Sequence, residues 1–413
     1  MTQAFDFTQL YADKLPAPAA PYRGLAKYHF VGGNNDSDGL PVRALAESAR
    51  RVMLDHGGDL ATYYPQGGPL GDRGLREFLA DKMDRFRGFT PGAERVLITS
   101  GSNHALDLIC RTLINQGDTV ICEEHSYSNM IARMRRRGAN VVAVKLDAHG
   151  LCCDHLEQLL QAHKEQGITP KFIYAMPTVQ NPTATVMPVQ RRRELLDISR
   201  RYGVAVVEDE CYADLLWDQQ APDSLCAMSG AEHVIHVGSF SKFLAPALRL
   251  GYITAPSEVL AQLLSVKDDA GTCSLSQMIV ADFMREHYET HVTGLNKRLK
   301  AKRNVLVAAL RDEFGEAAQF EVPPGGIFLW VRLPENVDTS QLAPLALAEG
   351  IAFNPGAEWS VNGETATRYL RLCYAHPSEA VIREGVSRLA QLCQREYGLN
   401  VGRIGTVGLA AAT

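Results

Sequence analysis

The 413-residue chain has no apolar run long enough to cross a bilayer. Its opening, MTQAFDFTQL, lacks the charged-then-apolar layout of a secretory signal. No charge sign dominates: 42 Lys and Arg stand against 47 Asp and Glu, a formal net charge of −5. That balance exerts no general pull toward nucleic acid or an anionic membrane. A disulfide framework is also missing, because the nine cysteines are odd in number and scattered, with Cys152 and Cys153 adjacent. Such usage fits a reducing cytoplasm. The metal-like spacings CEEH (122–125) and HYETH (287–291) have no second ligand cluster to complete them, so no metal is expected. There is no internal repeat and no low-complexity linker.

What is present is a globular composition, 46% hydrophobic, in a length that suggests two or three tightly packed domains. Seven short β-type runs mark the middle: RVLITS (95–100), DTVICEE (118–124), NVVAVKLD (140–147), KFIYAMP (171–177), VAVVEDE (204–210), HVIHVGS (233–239) and LGYITA (250–255). Amphipathic helical text separates several of them. Near-continuous apolar strands alternating with helices predict a mostly parallel sheet covered on both faces. Beyond about residue 285 a long charged helix leads into GGIFLWVRLP, IAFNPGAEWSV and RYLRLCYAHP, which predict a smaller α+β domain on an antiparallel sheet. The expected division is an N-terminal arm (1–45) packing on the small domain, a large domain (46–285) and a small C-terminal domain (286–413). The closing VGLAAAT is expected to be a mobile tail. The basic runs RMRRRG (133–138) and RRR (191–193) read as solvated helix faces.

Ligands of a parallel sheet gather at the carboxyl ends of its strands, and the residues at those ends carry the chemistry. ITSGSNHAL turns a strand into a helix through Gly101, Ser102 and Asn103, which offers free N–H groups and a helix dipole to an anion. Taken alone it is an ordinary helix cap. VVEDECY closes a strand with three acids, Glu208, Asp209 and Glu210, able to bind metal, act as a base or hold a protonated ring nitrogen. MPTVQNPTA carries Asn181 in a turn. SFSKFLAPALRLG (239–251) ends a buried run in Ser239, Ser241, Lys242 and Arg249. A phosphate site, an amine and a carboxylate at neighbouring strand ends are the parts needed to hold a phosphorylated pyridine aldehyde.

The succession GSN, Tyr, NPT, DExY, SFSK, Arg, Arg resembles the aspartate-aminotransferase-type branch of the fold-type I enzymes that use pyridoxal 5′-phosphate (PLP). GGIFLW and YLRLCYAHP are most similar to its aminoadipate/kynurenine aminotransferase group. The likeness runs from about Gly32 to the last helix. It implies a large domain with a mostly parallel seven-stranded sheet between helices, plus a small α+β C-terminal domain. It implies Lys242 as the lysine that forms a Schiff base with PLP and shuttles the substrate Cα proton. Ser239, Ser241, Arg249, Gly101, Ser102 and Asn103 would bind the phosphate. Asp209 would hold the pyridine nitrogen protonated, Asn181 and Tyr212 would bond the ring's phenolate oxygen, and Tyr127 would stack on the ring. Arg371 would grip the substrate α-carboxylate with two prongs. Asn181, Phe328, Gly33 and Asn34 would also face the substrate, and Tyr64 would reach the phosphate of a neighbouring subunit, which implies a homodimer with composite sites.

Four departures from the family pattern stand near these residues. VGGNNDSDGLP puts Asn34 and Asn35 where the family shows Gly-x-Pro, NPTA has Ala184 for glycine, His125 stands two residues before Tyr127 where proline is common, and Cys211 stands inside DExY. The expected function is transfer of the amino group of an L-α-amino acid to a 2-oxo acid, with 2-oxoglutarate as acceptor and a ping-pong mechanism. The runner-up is a PLP-dependent lyase or cyclase. A third class, a PLP-binding regulator behind a DNA-binding module, is disfavoured because the likeness begins near Gly32 and leaves no room before it for a winged helix.

Overall fold

The computed structural model describes residues 5–400, apart from 13, 14, 20, 23, 66 and 218. The expected tail VGLAAAT lies outside the described residues. All seven β-type runs become strands of one sheet: β1 (Val96–Thr99), β2 (Thr119–Glu123), β3 (Asn140–Val144), β4 (Phe172–Ala175), β5 (Ala205–Asp209), β6 (Val234–Ser239) and β7 (Gly251–Thr254). Their order is β1-β7-β6-β5-β4-β2-β3. Only β7 runs against its neighbours, pairing Gly251 with both Thr99 and Ser239. The remaining pairings are parallel.

Period-two alternation explains the layers. In β4, Phe172 and Tyr174 pack on one side with the helix Ser102–Leu113, while Ile173 and Ala175 pack on the other with Leu195 and Leu196 of the helix Val189–Tyr202. Burial on both faces is why these strands read as continuous apolar runs. The fold expected from the sequence is therefore the fold observed.

The long charged helix is longer than its charged stretch suggests, spanning 41 residues, Ser274–Phe314. Residues 285 and 286 lie inside it, so it passes continuously from the large part into the small one. There a three-stranded antiparallel sheet sets Tyr369–Cys373 between Phe328–Arg332 and Asn354–Pro355. The segment Tyr28–His29 pairs with Ile351–Ala352, and the Phe30 carbonyl accepts from Cys373 N at 2.9 Å. That packs this part of the N-terminal segment on the small sheet.

One of the two basic runs departs from expectation. The Arg133–Arg136 stretch does lie on a helix, with Arg133 paired to Asp107 at 2.6 Å. In the second run, Arg192 is fully buried rather than solvated, donating to the carbonyls of Met187, Pro177 and Asp223 and to Thr178 Oγ1. A helix face under the sheet needs apolar stems, and an arginine stem supplies one if its head finds acceptors.

Candidate active site

The carboxyl ends of β2, β4 and β5, with the loops after β1 and β6, surround one recess. Nine of the anticipated residues line it: Ser102, Asn103, Tyr127, Asn181, Asp209, Tyr212, Ser241, Lys242 and Arg249. Met176, Cys211 and Pro246 complete the wall.

Strand alternation sorts the acids of VVEDECY. Glu208 turns away from the recess, accepting from Leu225 N, Cys226 N and His236 Nδ1. Glu210 turns the same way into a bed of Arg87, Arg192 and Thr178. Burial alone would raise its carboxyl, and the Arg87 and Arg192 charges with the Thr178 hydrogen bond and neighbouring His236 together outweigh that and hold it below the usual range. These two acids and His236 lie close enough to suggest a metal, yet their oxygens already have protein donors. Asp209 alone faces the recess. It is 4% exposed, and its Oδ2 accepts from Tyr174 Oη at 2.7 Å and its Oδ1 from Cys211 N at 3.2 Å. Burial pushes its carboxyl above the ordinary range, against the hydrogen bonds that favour the anion.

Lys242 follows the end of β6. Its Nζ donates to Gly33 O at 3.1 Å. Burial pushes the ammonium below its usual range, and the Arg371 and Arg249 charges add to that. Gly33 lets the amine approach this closely: a Cβ there would stand 2.1 Å from Lys242 Nζ and would push the end of the lysine aside. The other end of the recess is rich in donors. The helix Ser102–Leu113 begins behind Gly101, whose φ is +82° and whose added Cβ would lie 2.5 Å from Arg249 Nη2. First-turn amides of a helix have no intrahelical partner, and Arg249 reaches Ser100 O at 3.2 Å beside them.

Arg371 lies at the junction with the small sheet. It is 2% exposed, and its hydrogen bonds go to neutral oxygens: Asn181 Oδ1 at 2.9 Å, Gly32 O at 2.8 Å and Asn354 Oδ1 at 3.0 Å. Its Nε finds no partner among the described residues. Phe328 packs edge-on against Tyr212 at 5.1 Å, and Tyr212 Oη accepts from Asn181 Nδ2 at 3.4 Å. Tyr127 Oη donates to Asn103 Oδ1 at 3.3 Å.

Other anticipated residues sit elsewhere. Ser239 lies beneath the recess, its hydroxyl accepting from Ser241 N at 3.1 Å. Tyr64 is 42% exposed and outside the recess wall. Asn35 Nδ2 is committed to Leu244 O at 2.9 Å, and Asn34 next to it is half-buried. Ala184 keeps the φ of +60° that a glycine would favour. His125 does not line the recess but packs against Trp330 and Tyr369, and burial lowers its pKa. Tyr174, Gly32, Asn354 and Trp359 were not anticipated. Tyr174 stood in a run read only as strand, and the others reach the site through tertiary packing that their local text does not announce.

A lone buried carboxylate, a desolvated amine and an anion-ready helix start with an arginine, all in one recess, fit PLP. They define a fold-type I enzyme. The chain matches the model of the family described as aminotransferase class I and II over residues 31–389, and it belongs to that family. It is 33% identical to the 2-aminoadipate transaminase of Thermus thermophilus over 88% of this chain and 89% of that one. It is 30% identical to aromatic-amino-acid aminotransferase 1 of Thermococcus litoralis over 95% of each chain. The crystal structure of an alpha-aminoadipate aminotransferase from Thermus thermophilus, complexed with N-(5′-phosphopyridoxyl)-L-leucine, superposes with a TM-score of 0.82 at 32% identity. That alignment covers 89% of this chain and 92% of that one. The protein is a PLP-dependent aminotransferase. The lyase or cyclase reading draws no support from these relatives. Among the described residues no helix is long and apolar enough to cross a membrane.

Proposed function

We propose that the protein moves the amino group of an L-α-amino acid to a 2-oxo acid, 2-oxoglutarate foremost, by a ping-pong mechanism in which Lys242 carries the cofactor. The observation that supports this best is Arg371, a buried guanidinium whose partners are all neutral, in reach of Asn181 and beside the recess that holds Lys242. Such a charge is set to receive an anion, and both substrates of transamination bring an α-carboxylate. Bound PLP supplies the electron sink for a carbanion at the substrate Cα.

The chain's own groups do the rest. Lys242 Nζ, with its pKa depressed, is a ready nucleophile for an aldehyde and then moves the proton at the substrate Cα. Asp209 holds a proton on the pyridine nitrogen by its charge, and Tyr174 and Cys211 N–H orient it for that. Ser102, Asn103, Gly101, Ser241 and Arg249 hold the phosphate, with Ser239 supporting Ser241. Asn181 and Tyr212 bond the phenolate oxygen, Tyr127 covers the ring, and Phe328 with Gly33 and Asn34 bounds the substrate side. Tyr64, exposed on a loop near Gly271, is the residue we assign to a neighbouring subunit's phosphate, in a cytoplasmic homodimer. The division into arm, large domain and small domain at 45 and 285 belongs to the same reading.

Initial rates at several fixed 2-oxoglutarate concentrations test the order of events. Parallel double-reciprocal lines are expected, together with glutamate formed one-for-one with the new 2-oxo acid. Lines that intersect, or product formed without glutamate, would sink the ping-pong reading.

A further inference from the structure

We propose that Trp359 is the positioning residue that fixes the plane of the Arg371 guanidinium, so that its edge meets a substrate carboxylate. This rests on the reading of Arg371 given above. The Arg371 Cζ lies 3.8 Å from the centre of the Trp359 ring and 5.1 Å from that of Phe328. The first distance sets the guanidinium carbon over the indole face in van der Waals contact. A planar cation stacked at that distance is free to slide but not to tilt, and two-pronged binding of a carboxylate depends on tilt.

The backbone holds the indole still. Trp359 ends the turn Gly356–Trp359, which abuts the strand that carries Arg371: a Cβ at Gly356 would stand 2.6 Å from Tyr369 O. On its far side the Trp359 carbonyl accepts from Ser126 N at 2.8 Å, and Val361 N donates to Glu124 O at 2.9 Å. Those bonds stitch the turn to the loop that carries Tyr127, whose ring lies 6.1 Å from the indole. Trp359 thus joins the carboxylate grip of the small sheet to the large domain's recess.

Its own chemistry supports the assignment. Trp359 is 4% exposed, and its indole N–H is buried with no acceptor among the described residues. Leaving that donor unmade costs stability, and a phenylalanine would avoid the cost. What indole offers over phenyl is a broader, more electron-rich face for a cation. Here that cation is buried and, among the described residues, has no carboxylate in its hydrogen bonds. Stacking compensates the charge without occupying the edge that substrate needs.

The test uses the holoenzyme with its best L-amino acid donor, and calorimetry with succinate and 3-phenylpropanoate as unreactive carboxylates. Trp359→Leu should raise KM for both amino donor and 2-oxo acceptor about tenfold. Its kcat should stay within about threefold and its cofactor absorption should be unchanged. Carboxylate binding should weaken in parallel, and Trp359→Phe should restore most of the loss. If the leucine variant fails to load PLP, Trp359→Met removes the ring at closer volume and carries the same expectation. Ringless variants with wild-type KM and carboxylate affinity would overturn the proposal, as would a phenylalanine variant as impaired as leucine. Arg371→Leu, run alongside, separates the two failures. If it too leaves carboxylate binding intact, the reading of Arg371 falls; if it alone weakens binding, only the role of Trp359 falls.

Discussion

Lys242→Ala is expected to lose at least about a hundredfold of turnover, because removing a positioned proton-transfer group alone costs that much. The variant also lacks the nucleophile for the cofactor aldehyde. It should still retain PLP through the phosphate contacts proposed for Ser102, Asn103, Ser241 and Arg249, which line the same recess and do not depend on the amine. Its bound cofactor should show the absorption of free aldehyde rather than of lysine-linked PLP. Fold damage is not expected: among the described residues the ammonium donates only to Gly33 O, and burial already disfavours its charge. Activity above a hundredth of wild type in a PLP-loaded variant would show that another group moves the proton.

Asp209→Asn should lower kcat by roughly a hundredfold to a thousandfold, the scale seen when one preorganised electrostatic group is removed. The amide keeps the shape: its oxygen can still accept from Cys211 N, and its Nδ2 can donate to Tyr174 Oη where the carboxylate accepted, but it cannot hold a proton on a ring nitrogen by charge. The apoprotein should respond in the opposite sense. Burial raises the Asp209 pKa, so in the folded state the anion is disfavoured, and wild-type stability falls as pH rises from the ordinary carboxylate range toward the folded pKa. The asparagine variant escapes that loss, so above that range the apo variant should melt no lower than apo wild type. Unchanged kcat would place Asp209 away from the cofactor nitrogen. A variant apoprotein that melts well below wild type at neutral pH would show that the anion is stabilising as it stands.

Much of this was legible in sequence because fully buried parallel strands announce themselves as short apolar runs, and their polar ends stand out against that background. Asp209, Lys242 and Asn181 are visible for that reason, and alternation then explains why Asp209 faces the recess while Glu208 and Glu210 hold the structure together. Residues that act through tertiary packing were not legible. Trp359 sits in a turn whose text, NPGAEWSV, carries no charge pattern pointing to Arg371. Tyr174 is indistinguishable from any core aromatic until β4 is laid beside β5. Arg192 misled because a run of three arginines gives no sign that its middle member lies on the buried face. His125, a departure from the family pattern two residues before Tyr127, gives no sign in its local text that it packs against Trp330 and Tyr369.

The most direct test of the central claim is a single half-reaction. Purified PLP-loaded enzyme, mixed with an excess of each common L-amino acid and no 2-oxo acid, should with its true donor pass to the pyridoxamine form. One equivalent of 2-oxo acid should appear per active site, and the starting spectrum should return when 2-oxoglutarate is added. Repeated turnover of the amino acid without 2-oxo acid, with the cofactor spectrum restored each time, would contradict amino-group transfer as the reaction of this site.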